Sequence, residues 1–298
     1  MSMPNPNQGP LVNDARVMGP VYMLAAALLF TLMNILVKQL GPHFTVWHIG
    51  FIRFGGGMVL LVALSGLRVN PFRGNNLRLL IIRGCTGTVA FLFLVTAIRL
   101  LPMSTALVIF YSYPAFAAVF ALVLYGERVG VGHVGCIGLA LAGVCVLFGA
   151  PLNGNLTGQI AALVGSIFAG LTVTLIRSLR ATNGPAVIYL YFCTAGSLAT
   201  LPYFLANPLI PADAMEWMFV PGIVLTSVAA QLLMNQGFYY CRGWEGGVLM
   251  SSEVVFTALA GIVLMGDPVG MHFYLGAALV MGSAAALSRI SAASPAAK

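Results

Sequence analysis

Three ionisable side chains stand inside otherwise apolar runs of this 298-residue chain: Arg53, Arg83 and Glu253. A charge in such a setting is costly, so it is read first as functional. Arg53 carries a planar fork that could clamp a carboxylate, or it snorkels outward and satisfies backbone carbonyls beside Gly55-Gly56-Gly57. Glu253 could carry a proton or meet an ammonium group, or it is a structural carboxyl held by a neighbour. Arg83 follows the basic segment of Arg73 and Arg78 by little more than a turn, so snorkelling is the expectation there.

Uncharged polar residues form a second set. Tyr111, Ser112 and Tyr113 precede Pro114, which removes a backbone hydrogen bond and should make a hinge. Gln231 and Asn235 with Gln236 fall in one apolar run and Asn34 in another, where amides either contact a ligand or join helices. Phe91, Phe93, Phe110 and Phe116 could face a cavity, with ordinary packing as the alternative. The candidate substrate-binding residues are therefore Asn34, Phe91, Tyr111, Tyr113, Gln231, Asn235, Ser251 and Ser252. Arg53 and Glu253 are the candidate charge bearers and Pro114 the candidate hinge.

The elements that position them are membrane helices. Hydrophobic residues make up 60% of the chain and charged ones 7%, with mean hydropathy +0.97, against roughly 25% charged residues in soluble domains. Gly, Pro and charge clusters divide the chain into ten runs of spanning length. These are 18–37, 45–64, 79–98, 103–125, 131–149, 158–176, 186–205, 217–236, 246–265 and 271–288. With a cytoplasmic N-terminus, the inner segments hold ten basic residues and the outer loops only Lys38 and Arg99, which places both termini in the cytoplasm.

The chain also repeats itself. Phe116 to Gly130 (FAAVFALVLYGERVG) returns as Phe256 to Gly270 (FTALAGIVLMGDPVG) at a constant offset of 140 residues. That offset sets Tyr111, Ser112 and Tyr113 opposite Ser251, Ser252 and Glu253, and Phe91 opposite Gln231. Five spans per half is an odd number, so the second half enters the membrane from the other side. The expected fold is an all-α membrane protein of ten transmembrane helices in two inverted five-helix repeats. Its divisions are a disordered cytoplasmic tail over 1–17, repeats over 18–149 and 158–288, and a cytoplasmic tail over 289–298. Inverted repeats around a midplane site are the plan of secondary transporters.

Other classes fare worse. The four histidines are dispersed and no P-loop is present, so neither an enzyme nor an ATP-driven pump is expected, and no cofactor or metal is called for. Topology and anionic lipid explain the net charge of +7, which leaves no case for nucleic acid. The five cysteines lack metal-type spacing and read as inert buried thiols. Gly135, Gly138, Gly143, Gly276, Gly282 and Ser283 allow close approach of spans five and ten, at the periphery or against a second copy in a homodimer.

Ten spans, two halves, short loops and an apolar helix ending in Gly126-Glu127 and again in Gly266-Asp267 resemble the drug/metabolite transporter superfamily, in its EamA-type branch. Within it the chain looks most like the aromatic amino-acid exporters of the YddG type. The resemblance implies a multi-pass inner-membrane exporter of amino acids, aromatic and other amphipathic ones, and related metabolites, working by alternating access. It also implies a cavity lined by spans one, three, four, six, eight and nine. The alternative is a sugar-phosphate or nucleotide-sugar antiporter, which should need several deep cations. Many halves of this type carry Pro after the central polar residue; Tyr113-Pro114 keeps it and Glu253-Val254 does not, so span four is expected to bend and span nine to stay straight.

Overall fold

The computed structural model describes residues 12–65, 72–101, 103–126, 130–147, 155–265 and 271–293. Twelve helices account for most of them. Long ones are α1 (Val12–Gln39), α2 (Val46–Ser65), α3 (Leu77–Leu100), α7 (Leu156–Arg180), α8 (Pro185–Ala206) and α9 (Ala214–Tyr240). All six are long and apolar enough to cross a bilayer. The others are α4 (Met103–Phe110), α5 (Tyr113–Tyr125), α6 (Val131–Leu147), α10 (Gly243–Met250), α11 (Ser252–Met265) and α12 (Met271–Ala293). Large apolar side chains such as Leu198, Leu205, Val123 and Val263 lie exposed on the outer surface, where lipid is their natural solvent.

Helix ends correct the expected tails. α1 begins at Val12 and passes through Pro20, and α12 continues past 288 to Ala293. Apolar composition marks where lipid begins and ends, whereas backbone hydrogen bonding carries a helix on into water. α5 closes on Gly126 in a left-handed conformation with φ 64°, a position where a Cβ would clash with its own backbone. The acidic partners in the repeated turn, Glu127 and Asp267, lie outside the described residues, as does Gly266.

The spans expected at 103–125 and 246–265 are each broken in two. α4 stops at Phe110 because Pro114, inside the first turn of α5, brings no amide hydrogen to the helical ladder. Straightness was expected of 246–265, and the structure overturns it: α10 ends at Met250 and α11 starts at Ser252. Serine does there what proline does in the first half. Ser251 Oγ donates to the Gly247 carbonyl (3.2 Å) and Ser252 Oγ to that of Leu249 (2.7 Å), and such back-bonding competes with the ladder and bends helices.

Helix pairing follows the 140-residue offset. The offset carries α1 onto α7 and α3 onto α9, and the two dominant contacts of this kind are α1 with α9 and α7 with α3. α2 packs on α8 and α6 on α12, pairs that the offset maps onto themselves. Glycines set the close approaches. A Cβ on Gly84 would lie 2.8 Å from the Tyr191 carbonyl oxygen, and one on Gly143 2.9 Å from the Val280 backbone nitrogen.

Candidate functional site

The two helix breaks meet in the middle of the molecule. Tyr113 OH lies 3.4 Å from the Gly247 carbonyl oxygen, and a Cβ on Gly247 would touch the Tyr113 and Pro114 rings at 3.0 and 3.1 Å. One turn along, Tyr111 OH donates to Glu253 Oε2 at 2.5 Å, and Asn34 Nδ2 from α1 donates to Glu253 Oε1 at 2.7 Å. Thr31 completes the grip by donating to the Glu253 backbone carbonyl at 3.3 Å. A buried carboxylate is tolerable only when its oxygens are satisfied, and here each has a donor.

Beside this knot lies a cavity of about 120 Å³, comparable with the roughly 150 Å³ that accepts a benzene molecule. Its walls are largely apolar and aromatic: Phe30, Met33, Phe91, Phe110, Phe192 and Met250. Asn34, Tyr111, Tyr113, Thr172, Gln231 and Glu253 add polar groups. A mostly apolar pocket with a few converging polar groups is the form of a small-molecule site.

Two guanidinium groups enter this cavity. Arg53, from α2, is 4% exposed; its carbon Cζ stands 4.1 Å from the Phe91 ring centroid, and Nη2 donates to Gln231 Oε1 at 3.3 Å. Gln231 in turn donates to Asn235 Oδ1 at 3.3 Å, and Asn235 to the Pro185 carbonyl at 3.1 Å. Arg83, from α3, is 1% exposed and lies over Phe192 at 4.4 Å. Cation–π contact offsets part of the cost of burying these charges. Arg53 Nε and Arg83 Nε and Nη1 find no hydrogen-bond acceptor, and neither guanidinium has an ion-pair partner among the described residues.

Seven of the expected binding and charge-bearing residues therefore converge with one another on the cavity wall: Asn34, Phe91, Tyr111, Tyr113, Gln231, Arg53 and Glu253. Asn235 supports Gln231 from behind. Ser251 and Ser252 do not line the cavity, since their hydroxyls are spent on the break in the helix. Phe93 is partly exposed and Phe116 packs toward Gly170, so neither lines it. Snorkelling is overturned for Arg83 and excluded for Arg53. Gly84 and Gly87 let α8 press so close on α3 that Phe192 covers Arg83 and closes its way to the membrane surface. The sequence held a signal for this, because Arg83, Gly87, Ala90, Phe91 and Leu94 recur at helical spacing on one face. Arg53 and Phe192 also add spans two and seven to the expected lining. Cys85 and Cys145 are exposed, contrary to the expectation of five buried thiols, as a small apolar thiol is at ease on a lipid-facing surface.

The description "EamA-like transporter family" fits this chain over residues 17–149 and again over 156–289. The chain belongs to the EamA-like transporter family. It is accordingly a multi-pass membrane transporter with two repeats, handling a small-molecule cargo, and not an enzyme. It is similar to the pseudopaline exporter CntI of Pseudomonas aeruginosa, 22% identical over 281 residues that cover 94% of this chain and 99% of that one. It is also similar to the aromatic amino acid exporter YddG of Ancylobacter novellus, 28% identical over 138 residues, 44% of this chain and 47% of that one. A solved crystal structure shares the fold with a TM-score of 0.73 at 21% identity, covering 93% of this chain and 97% of that one.

Proposed function

We propose that this protein exports amino acids, aromatic and other amphipathic ones, and related metabolites across a bacterial inner membrane by alternating access. The observation that carries the reading is the juxtaposition of opposite charges across an aromatic-walled cavity. Arg53 offers its guanidinium, with Nε–H unpaired, to a carboxylate, Glu253 a carboxylate to an ammonium, and Phe91, Phe110 and Phe192 a lining for an apolar side chain. Relatives named as exporters of pseudopaline and of aromatic amino acids agree with the direction and with a cargo of this kind. The present cavity holds one aromatic ring, so a whole amino acid enters when the walls part.

α4 with α5 and α10 with α11 each make one interrupted span, which brings the count to ten, five in each half. An odd number per half inverts the second against the first, and the interchange of α1·α9 with α7·α3 supports that symmetry. Both termini are cytoplasmic in this arrangement, from the excess of basic residues on that side. Repeats over 18–149 and 158–288 then rock about the cavity. Gly135, Gly138 and Gly282, where an added Cβ would meet nothing within 4 Å, leave room outside the α6 and α12 pair for lipid or for a second copy in a homodimer.

Proteoliposomes containing the purified protein test the reading, with labelled phenylalanine offered against a labelled hexose phosphate. Saturable phenylalanine transport that the hexose phosphate does not inhibit is expected. Transport of the hexose phosphate alone would replace this reading with the antiporter.

A further inference from the structure

Arg83 has no role in the reading above: one guanidinium and one carboxylate suffice for an amino acid's two charges, and the cavity holds a second guanidinium. Arg83 and Arg53 both stand over the ring of Phe192, at 4.4 and 5.7 Å from its centroid, so their charged ends lie within about 10 Å of each other. Both side chains are more than nine-tenths buried. Glu253 is the one carboxylate on the cavity wall among the described residues, and Tyr111 and Asn34 each donate to one of its oxygens while leaving lone pairs for an ammonium. With two guanidinium groups against that one carboxylate, the cavity wall carries an excess of positive charge in surroundings that solvate it poorly, with Nε and Nη1 of Arg83 and Nε of Arg53 lacking acceptors. Packing fixes the Arg83 group in place. It is held between the Phe192 ring and Gly87, where a Cβ would come within 3.3 Å of Nη1.

We propose that the physiological cargo bears a second anionic group, carboxylate or phosphate, in addition to its α-amino-acid pair, and that Arg83 binds that group. This rests on the amino-acid reading and sharpens it. Arg53 takes the α-carboxylate, Glu253 the ammonium, Phe91 and Phe192 flank the body, and the extra anion supplies the acceptors that Arg83 lacks. Guanidinium is suited to the task because its fork meets either a carboxylate or a phosphate through two parallel bonds.

Three probes separate the possibilities in proteoliposomes: phenylalanine, 4-carboxyphenylalanine and O-phosphotyrosine. The wild-type protein should show a KM at least about tenfold lower for one of the two probes with a second anionic group than for phenylalanine, a factor in keeping with one charge-assisted bond. Whichever is preferred identifies the anion. Arg83→Gln should erase that preference, bringing the ratio of the phenylalanine KM to that of the preferred probe close to one whatever happens to the absolute values. Arg83→Lys, which keeps the charge and loses the fork, should retain part of it and serves if the glutamine variant does not fold. Equal KM values for all three probes in the wild type, or an undiminished preference in Arg83→Gln, would overturn the inference and leave the amino-acid reading standing. Transport of none of the three would overturn both.

Discussion

Glu253→Gln removes one charge from the cavity at nearly constant shape, and its consequences can be worked out from the two bonds that hold the carboxylate. Hydrogen bonds to a charged group contribute about 1.5–3 kcal/mol and neutral ones about 0.5–1.5. Glutamine keeps an oxygen for Asn34 and turns its amide toward the Tyr111 oxygen, so both contacts persist as neutral bonds. The loss is about 1 kcal/mol for each. Glu253→Ala is harsher, because it strands the Tyr111 and Asn34 donors in a buried site at about 1–3 kcal/mol apiece. Thermal melting in detergent should therefore rank wild type above Gln and Gln well above Ala. Transport tells the roles apart. A cargo ammonium that meets an amide in place of a carboxylate forfeits a similar increment, which raises KM by about fivefold. If Glu253 also carries the coupling proton, the Gln variant loses accumulation driven by a pH gradient and keeps counterflow exchange, since the amide cannot titrate. Unchanged KM together with unchanged pH-driven accumulation would refute both assignments.

Tyr111→Ala and Gln231→Ala should each raise the half-saturating cargo concentration several-fold with membrane insertion intact, as measured by uptake kinetics against the amount of inserted protein. Pro114→Ala restores an amide donor to the first-half break and should lower maximal transport more than affinity. Ser251→Ala combined with Ser252→Ala should do the same in the second half, and spin-label distances across both spans should show comparable bending, where bending confined to α4 and α5 would contradict the serine account. Gly143→Ala should destabilise by about 1–3 kcal/mol, because its Cβ would press on the Val280 backbone, and Gly138→Ala, with open space beside it, should leave the melting temperature unchanged.

Much of this architecture is written in local pattern. Apolar runs and the 140-residue echo are properties of nearby residues, and the echo even set Phe91 opposite Gln231, which the structure places on the same cavity. Arg83 was misread because snorkelling is judged from distance along one helix, whereas its fate is decided by how closely a second helix approaches through Gly84 and Gly87. The break at Ser251 was missed for a related reason. Proline announces a lost hydrogen bond by its chemistry, but a serine breaks a helix only when its hydroxyl turns back on its own backbone, a choice made by the packing around it. The knot around Glu253 joins residues more than a hundred positions apart and has no trace in spacing.

Both cavity arginines come from the first half and the cavity glutamate from the second; at the offset of 140 their counterparts are Cys193, Ile223 and Tyr113. Two identical chains assembled around such a cavity would have to place every charge twice, giving a symmetric field in which a zwitterion has two equivalent poses. Joining the halves into one polypeptide frees each copy to mutate alone. The scaffold keeps its twofold pattern while the chamber acquires a head and a tail, so the cargo has a single preferred heading. Gene fusion, on this view, gave the protein a sense of orientation that no self-associating half could encode.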